Sequence, residues 1–334
     1  MKSSWVCALA GACLAMIGVS AAAEVSTVRV FRQYTLPYLA LMVMEDQKLI
    51  EKHAKSRGVD VQSNWSVVSS PAAVNDALLS GNLDFASAGA NAFLTIWDKT
   101  SVTSNPVRGV CAYNASPGLL NTRNPNVKSI RDFTAADKIA VPAVKVSYNA
   151  LILQMAAAKE FGLTNYAKLD ELTVSLPQAE STAALMSGVL EITANFSVAP
   201  YQYLQLKNPK IRTVLNSYDV LGGKATLGLV YTTKKFHDEN PRIYAAFMAA
   251  YNEANDLIKR DPVRAAEIYQ RLSRDKAPTE FIVAMLKNPD IDFDPVPRQL
   301  MTFYTFMQST GRLKAKATNW KELFFPAVHG EPGS

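Results

Sequence analysis

The stretch ALLSGNLDF, residues 77–85, decides the fold class, because it recurs without gaps as ALMSGVLEI at residues 184–192. In both copies a helix pattern ends at a Ser-Gly pair, and an acidic residue between two apolar residues follows as a short strand. Gly81 and Gly188 suit the left-handed conformation that often follows the last turn of a helix. Helix, glycine and strand succeed one another in many proteins, so chance is one explanation of the match. The economical interpretation is two α/β lobes with the same local topology.

Strands and helices alternate around both copies, which indicates mostly parallel sheets flanked by helices. Before the first copy we predict a strand at Thr27–Phe31, a helix over Pro37–His53 and a strand at Val61–Val68. Around the second copy the predicted elements are a strand at Lys138–Val141, a helix at Ser147–Phe161, and strands at Leu172–Leu176 and Arg212–Leu215. The chain after residue 241 is mainly helical, and each of its predicted helices begins at a proline.

The first 23 residues have the three-part form of a secretory signal. Lys2 precedes the apolar run Trp5–Val19, and Ala21–Ala23 supplies the small residues of a cleavage site. As a membrane anchor the run is too short, since a helix needs about 20 apolar residues to cross a bilayer. We therefore expect a cleaved signal peptide at 1–23 and a soluble periplasmic protein.

The rest of the chain is long enough for two lobes. We expect residues 24–112 and 226–334 to form lobe 1, which is discontinuous, and residues 113–225 to form lobe 2. The extended segments Arg108–Asn114 and Thr226–Thr232 would then cross between the lobes. A ligand would lie in the cleft between them.

Composition and motifs exclude several function classes. The chain is 49% hydrophobic and 19% charged, so it is an ordinary globular protein and not a disordered one. A net charge of +6 spread without basic runs gives no surface for nucleic acid. We find no catalytic motif, no histidine or cysteine set at metal-ligand spacing, and no cofactor fingerprint, and only Cys111 remains after the signal. We predict a protein that is not an enzyme and holds no metal or cofactor.

Small polar residues follow the predicted strands where helices begin, and these turns are the candidate site. In open α/β sheets a ligand binds beyond the carboxyl ends of the strands, where helix N-termini favour an anion. The alternative is that each serine or asparagine caps its own helix. The candidate ligand-binding residues are Gln33, Tyr34, Ser69, Ser70, Gly89, Ala90, Asn91, Ser147, Tyr148, Asn195 and Phe196.

The same residues give a family resemblance. The order Gln33-Tyr34, Ser69-Ser70-Pro71, Leu78–Gly89, Ser129–Phe133 and Ser147 resembles the periplasmic substrate-binding proteins of nitrate/sulfonate/taurine ABC importers. This resemblance implies the type II periplasmic-binding-protein fold, with the ligand meeting the Gln33, Ser69-Ser70, Gly89, Ser147 and Asn195 turns. Two departures, Ala135-Ala-Asp-Lys138 and Gly188-Val-Leu-Glu-Ile192, mean that the substrate of the family cannot be transferred.

The resemblance implies an exported solute-binding protein that delivers a small ligand to an ABC transporter permease, a transient membrane partner. We expect a monomer that binds a sulfonate, a nitrate or another small organic anion, with Arg32 as a possible neighbour. Aromatic residues keep a thiamine-precursor-like pyrimidine as the alternative ligand. A pyrimidine-processing enzyme and a ligand-sensing subunit of a membrane receptor are the alternative functions. The cysteine-rich motif of related fungal pyrimidine enzymes does not occur in this chain.

Overall fold

The computed structural model describes residues 23–67, 71–188 and 191–334, with the side chains of residues 71 and 72 excepted. Residues 1–22 of the predicted signal and the candidate residues Ser69 and Ser70 therefore lie outside the described residues. The strands are β1 (Thr27–Phe31), β2 (Gln62–Ser66), β3 (Ala86–Gly89), β4 (Val107–Ala115), β5 (Leu119–Thr122), β6 (Ile139–Val141), β7 (Thr173–Ser175), β8 (Ala194–Ser197), β9 (Arg212–Asn216) and β10 (Thr226–Thr233).

The helices lie between and after these strands. They are α1 (Leu39–Asp46), α2 (Leu49–Lys55), α3 (Pro71–Leu79), α4 (Ala90–Thr100), α5 (Tyr148–Phe161), α6 (Gln178–Ser187), α7 (Tyr201–Gln205), α8 (Ser217–Leu221), α9 (Lys234–Glu239), α10 (Pro241–Arg260), α11 (Pro262–Ser273), α12 (Thr279–Leu286) and α13 (Leu300–Ser309). The single helix predicted over residues 37–53 is two helices, because Lys48 adopts a left-handed conformation between α1 and α2. Among the helices of the described ranges, none has the length and apolar character needed to cross a bilayer.

The strands form two groups. In the first, β2 pairs with β1, and β10 lies between β3 and β4. The Phe31 amide donates to the Phe85 carbonyl at 3.0 Å, which joins β1 to the segment that leads into β3. In the second group the order is β7-β6-β8-β5-β9. Helices flank both groups, so the α/β class is confirmed.

The sheets are mixed and not mostly parallel as the alternation indicated. The pairs β1-β2, β6-β7 and β6-β8 are parallel, as strand–helix–strand connections require. Strand β10 runs antiparallel to both of its neighbours, and β5 does the same in the second group. Both of these strands enter their sheet from another part of the chain, where no crossover helix fixes a parallel direction.

Strands β4 and β10 lie side by side where the chain passes from one group of strands to the other. Their pairing includes Thr226 opposite Ala115. A third segment joins them there, because the Ala115 and Asp292 backbones exchange two hydrogen bonds, at 2.9 and 2.8 Å. The pair is thus supported by a segment from the C-terminal half.

An aromatic cluster lies beneath the first group of strands. Phe85 stacks on Phe247 of α10 with ring centroids 4.0 Å apart, and Phe236 of α9 meets the same ring edge-on at 5.2 Å. Full burial of each such side chain contributes about 1.5–3 kcal/mol. Cys111 of β4 is buried, and burial raises the pKa of its thiol, so it is an unreactive core residue.

Candidate functional site

A cavity of about 850 Å³ lies between the two groups of strands. One wall comes from the β1 loop and the ends of β3 and α4, and the other from the turn before α5 and from β7 and α6. A cavity of this size is typical of small-molecule sites. The wall residues used below are Gln33, Tyr38, Asn75, Asp76, Gly89, Asn91, Lys99, Tyr113, Lys145, Ser147, Tyr148, Asn149, Val198, Met307 and Arg312.

The helices α4 and α5 both point their N-termini at the cavity. Gly89 precedes α4 with no side-chain cap, so the first amides of that helix keep no capping partner. Ser147 caps α5: its hydroxyl accepts from the Ala150 amide at 3.3 Å and donates to the Ala143 carbonyl at 2.8 Å. Because the Ser147 hydroxyl is already used in this way, free amides and not hydroxyls are the donors that these turns offer.

The two walls touch at the N-termini of α4 and α5. The Asn91 side-chain amide donates to the Val146 carbonyl at 2.5 Å. At Gly89 a side chain would meet the Tyr148 Cβ atom at 3.2 Å and Asn91 Oδ1 at 3.0 Å. Glycine thus lets the two walls approach closely at this point.

Three tyrosine rings form the inner part of the cavity. Tyr38 and Tyr113 lie 4.6 Å apart between ring centroids, and Tyr148 packs on Phe303 of α13 at 5.7 Å. Burial raises the pKa of Tyr38 to about 12, and it raises the pKa of Tyr113 and Tyr148 as well. The phenols therefore stay protonated and neutral at physiological pH.

Charged residues are confined to the outer part of the cavity. Lys99, Lys145 and Asp76 are exposed, and Arg312 is half-buried. Within the described part of the chain, none of the three cations forms an ion pair. Three cations against one carboxylate give this edge a positive balance that favours an anionic group.

The structure brings several sequence-predicted residues together and leaves others apart. Gln33, Gly89, Asn91, Ser147 and Tyr148 line the cavity. Tyr34 is 50% exposed and does not line it, and Ala90 is buried behind it. Arg32 is bound to Glu45 and so has its own counter-ion.

Asn195 and Phe196 lie inside β8 and are buried away from the cavity. The Asn195 amide donates to the Ser181 hydroxyl at 2.9 Å. A ligand contact at these two residues stays a prediction, and the cavity lining does not support it. Val198, two residues further on, does line the cavity.

The sequence reasoning missed the helical sides of the cavity. Asp76 lies on α3, Lys99 on α4, and Met307 and Arg312 on or just after α13. Spacing could have indicated one of these groups, because Asn91, Thr95 and Lys99 recur every four residues and share one face of α4. Nothing in the sequence indicated Arg312, since its approach depends on how α13 packs.

Comparison with protein families gives one match. The NMT1/THI5-like profile matches residues 55–265, well over half of the chain. The chain belongs to the NMT1/THI5-like family. Its matched region includes β3, α4 and α5, which supply the two helix N-termini of the cavity. Comparison with curated protein sequences finds no match.

Solved structures share the fold of this family member over almost all of its length. The alkanesulfonate-binding protein SsuA from Xanthomonas axonopodis pv. citri, bound to MOPS, is 16% identical with a TM-score of 0.70, over 91% of this chain and 99% of that one. SsuA from Escherichia coli is 16% identical with a TM-score of 0.66, over 90% and 99%. The nitrate-binding protein NrtA from Synechocystis PCC 6803 is 14% identical with a TM-score of 0.68, over 90% and 85%. The resemblance seen in the sequence is confirmed.

No group of histidine, cysteine, aspartate and glutamate side chains in the described ranges of this family member is arranged to hold a metal ion. The cavity lining itself supplies hydrogen-bond donors, aromatic faces and cations.

Proposed function

We propose that the protein is an exported, non-enzymatic solute-binding protein that captures a small organic anion in the cavity and delivers it to an ABC importer. The observation that carries the proposal is the 850 Å³ cavity between two walls that touch at the N-termini of α4 and α5. Fold neighbours named as periplasmic sulfonate- and nitrate-binding proteins support it. The donor, aromatic and cationic lining suits binding.

In this proposal residues 24–112 and 226–334 form lobe 1, and residues 113–225 form lobe 2. The two groups of strands support this division, because β1 to β3 and β10 belong to one group and β5 to β9 to the other. The β4-β10 pair would be the hinge. Ligand binding would shift the population toward the closed arrangement, since only that arrangement places both walls on the ligand.

The size of the cavity favours an organic anion over an inorganic one. Each water in the liquid occupies about 30 Å³, so an ion as small as nitrate would leave most of an 850 Å³ cavity to water. An alkyl or ring body would instead cover the tyrosine faces. The X. axonopodis neighbour is bound to MOPS, which makes that sulfonate a direct probe.

A neutral aromatic heterocycle, such as a thiamine-precursor-like pyrimidine, is the second candidate ligand. The observation that favours it is the set of three buried tyrosine rings, on which a flat ring would stack. The amide nitrogen of Asn149, which lines the cavity, is buried without a hydrogen-bond partner among the residues described. An acceptor on the ligand would remove the cost of that unpaired group, about 1–3 kcal/mol.

The test is a thermal-shift screen of the purified mature protein, followed by calorimetric titration. Probes are MOPS, a series of alkanesulfonates, nitrate and pyrimidines. A ligand at 100 times its dissociation constant stabilises the protein by about 2.7 kcal/mol. We expect organic sulfonates or carboxylates to raise the melting temperature. A response to pyrimidines alone would select the second ligand class, and conversion of any probe would refute the non-enzymatic function.

A variant that prevents closure tests whether this cavity is the site. Gly89→Val keeps an ordinary extended backbone but places a side chain against Tyr148, so we expect it to abolish the ligand-induced shift. Gly330→Val is the matched control, because its side chain would meet nothing within 4 Å. A full ligand response in Gly89→Val would place binding elsewhere. Transport by a permease and ATPase reconstituted in vesicles would separate delivery from sensing.

A further inference from the structure

Arg312 reaches the cavity from the turn that follows α13. Its Nη2 atom donates to the Oε1 atom of Gln154 on α5 at 2.6 Å. Its guanidinium also lies over the Tyr166 ring, 5.4 Å from the centroid. These contacts span the two proposed lobes, since Arg312 belongs to lobe 1, and Gln154 and Tyr166 belong to lobe 2.

Gln154 is held in the orientation that this contact requires. The side chain is only 1% exposed. Its Nε2 atom donates to both carboxylate oxygens of Asp170, at 2.9 and 2.8 Å. With the amide nitrogen occupied, the Oε1 atom is turned to Arg312. Asp170 therefore positions Gln154, and Gln154 positions Arg312.

Arg312 has no carboxylate partner in the described ranges, in contrast to Arg29 and Arg298. Arg29 pairs with Asp84, and Arg298 pairs with Asp294, each at 2.7 Å. Over the described ranges no carboxylate lies within ion-pair distance of Arg312, and the neutral Gln154 amide separates it from Asp170. Among the residues described, its other N–H groups have no hydrogen-bond acceptor. A planar guanidinium in this state is suited to a carboxylate or sulfonate.

We propose that Arg312 holds the anionic group of the ligand at the outer edge of the cavity, and that Gln154 and Asp170 position it only when the walls are closed. The proposal rests on the proposed function. It moves the anion from the helix N-termini, where the sequence pattern placed it, to a side chain from the C-terminal segment. The body of the ligand then lies on the tyrosine rings.

The first experiment compares charged and uncharged probes of the same shape. Calorimetric titrations use alkanesulfonates and the corresponding alkanesulfonamides with wild type, Arg312→Gln and Lys314→Gln. We expect Arg312→Gln to weaken sulfonate binding by about 10- to 100-fold, the range for a charge-assisted hydrogen bond, and to leave sulfonamide binding unchanged. Lys314 is the matched control, an exposed cation two residues away that does not line the cavity, and its loss should change neither affinity.

Two further variants separate holding the anion from supporting the fold. Arg312→Lys keeps the charge without the planar fork, and we expect part of the sulfonate preference to remain. Gln154→Met keeps the length of the side chain but releases Arg312, and we expect a several-fold loss confined to sulfonates. Melting temperatures of the unliganded variants report folding. The ratio of sulfonate to sulfonamide affinity reports the anion contact, which a structural role would not change.

The outcomes distinguish this inference from the proposed function. Equal loss of both probe classes in Arg312→Gln, or no loss, overturns the role of Arg312 while solute binding stands. Wild-type binding of uncharged compounds alone also overturns it. If no probe binds wild-type protein, both proposals fail.

Discussion

The two copies of the repeated stretch are alike in the conformation of the glycine and differ in the strand contacts that follow. Gly81 and Gly188 adopt the predicted left-handed conformation, with φ of 73° and 68°. In the first copy the Asp84 and Phe85 amides both donate to the Arg29 carbonyl. In the second copy the Thr193 and Ala194 amides both donate to the Lys138 carbonyl, so the equivalent residues are 109 apart. The gap-free offset of 107 therefore does not extend into the strand contacts.

This two-residue difference shows which residues of the second copy correspond to the cavity-lining turn of the first. At the offset of 107 residues, Ala88 and Gly89 correspond to Asn195 and Phe196. At the offset shown by the hydrogen bonds, Gly89 corresponds to Val198. Gly89 and Val198 both line the cavity, whereas Asn195 and Phe196 are strand residues beneath it. A repeat in sequence thus locates a helix end reliably but not the strand that follows.

Replacing the acidic residue of each copy should give the largest difference in unfolding free energy between the two copies. Asp84 is buried and accepts hydrogen bonds from the Arg29 amide at 2.7 Å, Nε at 2.9 Å and Nη2 at 2.7 Å. Asp84→Ala should lower the free energy of unfolding by about 2–4 kcal/mol, since the Arg29 side chain is 39% exposed and water compensates it in part. Glu191→Ala, at an exposed residue, should change it by less than about 0.5 kcal/mol. Urea unfolding measures both, and equal losses would contradict the comparison.

Replacing the two glycines by alanine should give a smaller difference in unfolding free energy. Alanine at either residue is strained by the positive φ, at about 1–3 kcal/mol. A side chain at Gly81 meets nothing within 4 Å, whereas at Gly188 it would collide with the Arg123 guanidinium. We therefore expect Gly188→Ala to cost more than Gly81→Ala in urea unfolding. The Arg123→Ala background is the control, because removal of the guanidinium should make the two costs equal.

Replacing Asn195 tests most directly whether the 107- or the 109-residue offset locates the site. We expect it to have the smallest effect on ligand binding. Asn195→Ala removes the amide that donates to the buried Ser181 hydroxyl, which keeps its own bond to the Gln178 carbonyl, so we expect a loss of about 0.5–1.5 kcal/mol in unfolding free energy. The ligand-induced rise in melting temperature should stay unchanged. Val198→Phe, which adds bulk to the cavity wall, should reduce that rise. A reduced ligand response in Asn195→Ala would support the sequence-based prediction that Asn195 contacts the ligand.

The sequence alone determined the features that depend on local physics. Hydrophobic alternation placed β1, α5, β9 and β10 to within one or two residues, prolines marked the start of α10 and α11, and two glycines marked helix ends. Strand-to-helix turns also predicted five residues that line the cavity. Hydrophobic periodicity, helix capping and backbone strain each depend on only a few neighbouring residues. A short sequence pattern is therefore enough to predict them.

Only the tertiary structure decided the rest. Three features depend on contacts between residues 55 to 158 positions apart in the sequence. They are the antiparallel pairing of β5 and of β10 with their neighbours, the contact between Asn91 and Val146, and the approach of Arg312 to Gln154. No local pattern encodes such pairs, because each depends on how whole elements pack. The shift of two residues in the strand contacts of the second copy is of the same kind, because it moves the following strand by one full side-chain repeat.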